Sequence, residues 1–293
     1  MSELRSQAAM AMGCFRSVGS APWALVYPFL LATCVVACTI AFPAYVLFGW
    51  PIGGEPSTLT RSIAVIGYFT VIPVVIAFWS VAFAYEIDAV YAGRSPAPGS
   101  GLRVALSKYP LVLATALALG PGSFLLSKLQ GVGPIGRIVD VAVLELTGVL
   151  EVFAFPVVAT TDGDPRAAFE ELTDALAEGY GVAAVSSVST RALLTAIGWS
   201  GIVTGVPMGF LAFWGVTIVS VPPWGPFTVP VLLPFASMWL AFAVTALVRG
   251  VVNTALHRYV RTGEYPQGIG PSPDRMLQRS ASSPGTATGD AGD

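Results

Sequence analysis

Long apolar stretches without charge, separated by short breaks rich in glycine and proline, set the pattern of this chain. The first, Trp23 to Phe48, is twenty-six residues with no charged side chain. As a helix it is long enough to cross a hydrocarbon layer about 30 Å thick. Trp23, Tyr27, Tyr45 and Trp50 gather toward its ends, where amphipathic rings meet lipid headgroups. Pro43 is placed to bend the last turn, because it removes a backbone donor and crowds the preceding carbonyl. Span two runs from about Ser62 to Val90, holds Pro73 near its middle and ends with Glu86 and Asp88. Gly93 to Gly101 then breaks the helix.

A brief lead-in, Gly101 to Tyr109, carries Arg103 and Lys108 and precedes span three, Pro110 to about Leu126. Span four, Ile138 to Thr160, carries three acids, Asp140, Glu145 and Glu151. Asp164-Pro165-Arg166-Ala167 then reads as a helix start, with an aspartate cap and proline in the first helical position. Ala168, Phe169, Leu172 and Leu176 form its apolar stripe and Glu170, Glu171, Asp174 and Glu178 the rest. Such a helix lies along the interface or packs on the base of a bundle, and its acidity favours packing on protein over anionic lipid.

Span five is placed at Ala192 to Ser220, which keeps Arg191 at the interface. The alternative, Gly181 to Ser200, sets that charge at mid-depth, where it is costly, and requires a seventh crossing. Span six runs from about Phe227 to His257. The expected fold is therefore an all-α, polytopic transmembrane helical bundle with six spans. Each odd-numbered span has a surface-type lead-in, which suggests three helical hairpins. Gly93 and Pro96 after span two recur as Gly263 and Pro266 after span six at one offset, a weak internal echo. Residues 1–268 form this single domain, and residues 269–293, poor in apolar side chains, form a disordered cytoplasmic tail.

Composition supports the membrane assignment. The chain of 293 residues is 54% hydrophobic and 11% charged, with mean hydropathy +0.72, against about a quarter charged in soluble domains. The formal net charge of -2 offers no concentrated basic face for a nucleic acid. Twelve of the fifteen basic residues fall on the side of the two termini and the even-numbered loops, which puts both termini in the cytoplasm. The run after Arg5 and Arg16 is longer than the apolar core of an export signal, so span one is expected to be retained. Cys14, Cys34 and Cys38 are odd in number, and none lies in an outer loop, which argues against a disulfide framework.

Three constellations carry chemistry. Asp140 and Glu151 lie almost three turns apart on one face of span four, with Glu145 pointing away. Ionised carboxylates in hydrocarbon must face protein, water or a cation, so this set is a polar or ion path or a structural pairing. Arg249, Asn253 and His257 repeat on one face of span six, and Arg249 is the natural partner for a buried acid, with Glu86 within reach if the helix ends align. Gly201, Gly205 and Gly209 make a small-residue stripe for close helix packing or a dimer seam. No nucleophile elbow, zinc-binding His-Glu pattern or phosphate loop is present, and one histidine does not make the usual histidine-rich metal centre.

The ordered landmarks resemble a family of integral membrane proteins of halophilic archaea and some bacteria, known only as a domain of unknown function. They are Phe15-Arg16-Ser17, the end of span two with Gly101-Leu102-Arg103-Val104-Ala105, Phe153-Ala154-Phe155-Pro156-Val157-Val158, Pro165 to Phe169, and Ala255-Leu256-His257-Arg258-Tyr259-Val260-Arg261-Thr262-Gly263-Glu264. The resemblance covers about residues 10–268 and implies a six-helix membrane protein, without an enzyme activity, substrate or cofactor to carry over. The chain departs from that pattern at Asp140, Glu145 and Glu151. The leading expectation is an accessory or interaction subunit embedded in the cell membrane, in contact with lipid and with a protein partner or a second copy of itself. A small-solute or ion transporter using the acids of span four is the alternative, and an enzyme ranks third.

Overall fold

The computed structural model describes residues 12–48, 57–120, 150–179, 225–266 and 269. Among these the chain is helical, with no strand. Helix α1 covers residues 12–19 and leads through a 3-10 turn, Pro22–Leu25, into α2, Val26–Phe48. Helix α3, Thr58–Tyr91, starts on a Ser57 cap whose hydroxyl accepts from the Thr60 amide at 3.2 Å. Helices α4, Ser100–Ser107, and α5, Tyr109–Leu119, meet at Lys108 with a bend of 77°. Leu150–Thr160 forms α6, residues 165–179 form α7, and Gly225–Thr262 forms α8.

Three of these helices are long and apolar enough to cross a membrane, over Pro22–Thr39, Thr58–Tyr91 and Ala236–Thr262, and α4 with α5 makes a fourth if the bent pair is one span. Their outer surfaces stay apolar: Leu59, Ile63, Ile66 and Phe69 on α3 and Leu240 on α8 are all exposed. In water such a belt would be an aggregation surface, whereas hydrocarbon is its natural cover. Span five and the first part of span four lie outside the described residues.

Helix α3 is the axis of the bundle, packed against α2, α4, α5 and α8. Two glycines allow this closeness. A Cβ on Gly101 of α4 would run into the Ala82 carbonyl of α3, and one on Gly250 of α8 would run into the Phe83 ring. The buried residues collect toward the end of the bundle where α3, α6 and α8 stop, with Val81, Ile87, Phe153, Val248 and Leu256 at the centre. We call this the basal end.

The lead-in helices seat there. Cys14 and Val18 of α1, Gly101 and Ala105 of α4, and Ala168 and Ala175 of α7 are turned inward and buried. Helix α7 begins as its residues dictate, with the Arg166 amide donating to the Asp164 carboxylate at 3.0 Å. Its buried stripe is Ala168, Leu172, Ala175 and Leu176, and Phe169, expected on that stripe, is 71% exposed. The 100° step per residue carries Phe169 off the face that Ala168 and Ala175 define. Ile269, which the sequence assigned to the tail, is fully buried.

The three helices that end at the base stop in the same way. Gly93, Gly163 and Gly263 follow α3, α6 and α8 with φ of 70°, 89° and 72°, a left-handed turn that glycine adopts without steric cost. A proline follows each within three residues, as Pro96, Pro165 and Pro266, and none of these prolines continues the preceding helix.

Candidate functional site

Above the base, α2, α3, α6 and α8 enclose a cavity of about 300 Å³. Its walls are mainly aromatic and aliphatic: Tyr27 on α2, Trp79 and Phe83 on α3, Phe155 on α6 and Phe242 on α8. Tyr27 and Trp79 meet with ring centroids 6.2 Å apart. Further out, the Trp239 indole donates to Thr33 at 2.9 Å and stacks near Phe29, which ties α8 to α2.

One ion pair interrupts this apolar lining. Arg249 Nη1 donates to Glu151 Oε2 at 3.1 Å, with the side chains 43% and 32% exposed. Asn253, one turn along α8, approaches the Glu151 backbone carbonyl at 3.4 Å. Helix α8 continues past His257 to Thr262, which sets Arg249 roughly 20 Å from the helix end at 1.5 Å per residue. Arg249 therefore sits between three and four turns from that end. A charge at such depth needs a partner and a polar surrounding, and the open faces of both side chains line the cavity.

The pairing corrects the sequence expectation for Arg249. Glu86 is fully buried, but its Oε1 accepts from the Tyr27 hydroxyl at 3.1 Å, the Ser100 hydroxyl at 2.9 Å and the Gly101 amide at 2.7 Å. Those donors come from α2 and from the start of α4, and they hold Glu86 nearer the base than Arg249. Glu86 Oε2 is buried without a hydrogen-bond partner among the described residues. Glu151, assigned from sequence to a polar or ion path, is neutralised by a guanidinium. Asp140 and Glu145 of that path, and Gly201, Gly205 and Gly209 of the packing stripe, lie outside the described residues.

At the base, polar groups close the helix ends. Lys108 Nζ donates to the carbonyls of Val158 at 3.2 Å, Ala159 at 2.9 Å and also Thr161, capping the end of α6. His257 Nε2 and Glu171 Oε1 lie 3.2 Å apart, joining α8 to α7. The hydrogen bond from His257 is the main influence holding the Glu171 carboxyl below its ordinary range, against partial burial, with Arg261 and Lys108 helping. Asp88 is shared by Arg94 at 3.5 Å and Arg258 at 4.0 Å. Burial pushes the Cys14 thiol up to about 12, and burial together with the nearby Cys14 does the same to the Tyr265 hydroxyl. Among the described residues, no three His, Cys, Asp or Glu side chains gather as a metal site.

Sequence reasoning placed Arg249, Asn253 and His257 on one face, and the structure gives each of them a partner. It missed the roles of Tyr27, Trp79 and Lys108. Tyr27 was read only as an interfacial ring, and nothing local marks Lys108 as the cap of a helix that lies far along the chain.

The fold and the cavity define a class: an all-helical protein, with helices long and apolar enough to cross a membrane, packed around an internal pocket that holds one ion pair. Comparison with protein-family models, with curated proteins and with solved structures returned no match.

Proposed function

We propose that this is a cell-membrane protein of six spans, both termini cytoplasmic, that binds a small solute between α2, α3, α6 and α8 and acts as a transporter for it. The carrying observation is the Arg249–Glu151 pair, set deep in an apolar helix bundle with both side chains open to a cavity. Stability alone gives little reason to keep two charges in such a bundle, because a desolvated pair is often no better than well-packed apolar side chains. The weight of basic residues on the side of the termini supports the orientation. The three lead-in helices and the recurring glycine ends support an arrangement in three hairpins. The likeness to the haloarchaeal and bacterial membrane family remains part of this proposal.

The second reading is the accessory or interaction subunit. Phe169 at 71% exposure on α7, with Phe15 and Met12 exposed on α1, supports it, since large apolar side chains on basal helices suit a protein partner, a second copy or lipid.

Purified protein in liposomes separates the two. Saturable uptake of a solute that falls when Arg249 is replaced by Gln supports the transporter. Absence of flux across a broad panel of small solutes, with a stoichiometric partner retained through purification, supports the subunit and removes the transporter.

A further inference from the structure

We propose that the cavity recognises a zwitterion with an apolar body, of the class of an α-amino acid with a branched or aromatic side chain. This rests on the solute-binding reading above. The guanidinium of Arg249 has five N–H donors, and among the described residues only Nη1 is engaged, by Glu151 Oε2. Glu151 Oε1 has no hydrogen-bond partner among the described residues, so each member of the pair keeps unused capacity of opposite sign.

A ligand with a single charge would leave one of the two groups facing its like or facing nothing. An anion on Arg249 would sit beside the Glu151 carboxylate, and a cation on Glu151 would sit beside the guanidinium. A carboxylate and an ammonium on one ligand match both groups, and the filled site stays neutral inside hydrocarbon, where net charge is most costly. Asn253 and Thr245 line the same pocket as neutral hydrogen-bonding groups. The aromatic part of the lining, formed by Trp79, Phe83, Phe155 and Phe242, offers no charge and suits an apolar side chain. A volume of about 300 Å³ lies at the small end of ligand sites, which favours a single small molecule over a lipid with full acyl chains.

The experiment uses the full chain in lipid nanodiscs and four probes of matched shape: L-leucine, L-phenylalanine, 4-methylpentanoate, which lacks the amine, and 3-methylbutylamine, which lacks the carboxylate. Binding is read by scintillation proximity with labelled leucine and by competition. The zwitterions are expected to bind at least tenfold more tightly than either single-headed analogue. Arg249→Gln should erase the preference of leucine over the amine, and Glu151→Gln should erase its preference over the carboxylate. Arg249→Lys and Glu151→Asp, which keep each charge, should restore part of the discrimination. If a variant does not fold, the four-probe series on the unaltered chain still decides.

Equal or tighter binding of either single-headed probe overturns the zwitterion assignment. A separate readout tests the reading beneath it. In a background without Cys14, Cys34 and Cys38, Ala246→Cys on the cavity wall is probed with a small water-soluble thiol reagent. Labelling without binding of any probe overturns the zwitterion class alone, and absence of labelling overturns the solute cavity itself.

Discussion

Arg249 of α8 and Glu151 of α6, 98 positions apart in the chain, meet at 3.1 Å inside the bundle with about a third or more of each side chain open to a cavity. Removing either partner leaves the other uncompensated. Arg249→Leu or Glu151→Leu alone is expected to destabilise the protein by about 1–2 kcal/mol, less than the ~3–5 kcal/mol of a fully enclosed pair, because the cavity keeps both groups partly solvated. The double Leu variant should recover most of that loss while losing solute binding. Thermal unfolding in detergent followed by size exclusion measures the first effect. A double variant no more stable than the singles would show that the pair is not the coupled unit described.

Gly101 seats α4 on α3, and the position leaves no room for a side chain beside the Ala82 carbonyl. Gly101→Ala should push α4 outward, lengthen the 2.7 Å bond from its amide to Glu86 and destabilise the protein by about 1–3 kcal/mol. Gly99→Ala, at a φ of 81° with nothing within 4 Å of the added carbon, should cost about 1 kcal/mol through backbone strain alone. Ordering of the two variants in a thermal shift series checks this, and an undisturbed Gly101→Ala protein would contradict the packing.

Lys108 gathers the last carbonyls of α6 from the elbow between α4 and α5. Lys108→Met keeps the apolar stem and removes the donors, and is expected to cost about 1–3 kcal/mol. Backbone amides around Val157 to Thr161 should exchange faster with deuterium than in the parent chain, while those of α2 stay unchanged. Uniform exchange in both proteins would argue that the cap carries no stability.

The Glu171–His257 contact gives a pH signature. The folded-state value of Glu171 lies below its ordinary 4.5, chiefly through the His257 hydrogen bond. A depressed carboxyl contributes stability that is fully present above the unfolded value and is lost as the pH falls through the folded one. Glu171→Gln should therefore melt earlier than the parent chain at pH 7, by the net worth of one hydrogen bond, about 1 kcal/mol. The two melting curves should begin to converge as the pH falls below about 4.5 and should meet once it has passed below the lowered folded-state value. A difference that persists undiminished at pH 3 would assign the effect to shape instead of charge.

Local chemistry made much of the helical pattern readable. The Asp164 cap, the long uncharged stretches of α2 and α3, and the glycines after α3 and α8 act over a few residues, and the sequence displays them directly, whereas the Ser57 cap starts α3 at Thr58, four residues before the expected Ser62. The partner of Arg249 was not readable in the same way, because Glu86 and Glu151 are both acids on neighbouring helices and only the relative height of α6, α3 and α8 chooses between them. Glu86 is satisfied by a backbone amide and two hydroxyls, which no count of charges reveals. Phe169 was misplaced because two apolar residues in succession allow two stripes, and small Ala168 and Ala175 make the tighter seat. The cavity itself depends on four helices meeting with imperfect fill, a property of the assembled bundle that no single segment carries.

The left-handed glycines at positions 93, 163 and 263 put a stop signal within three residues of the end of α3, α6 and α8, and α6 also draws on Lys108 to define where it finishes. A nascent chain would thus acquire correctly trimmed helices before the bundle closes. Docking would then be a matter of sliding finished rods together, and the ion pair at Glu151 and Arg249 would be among the last contacts to register.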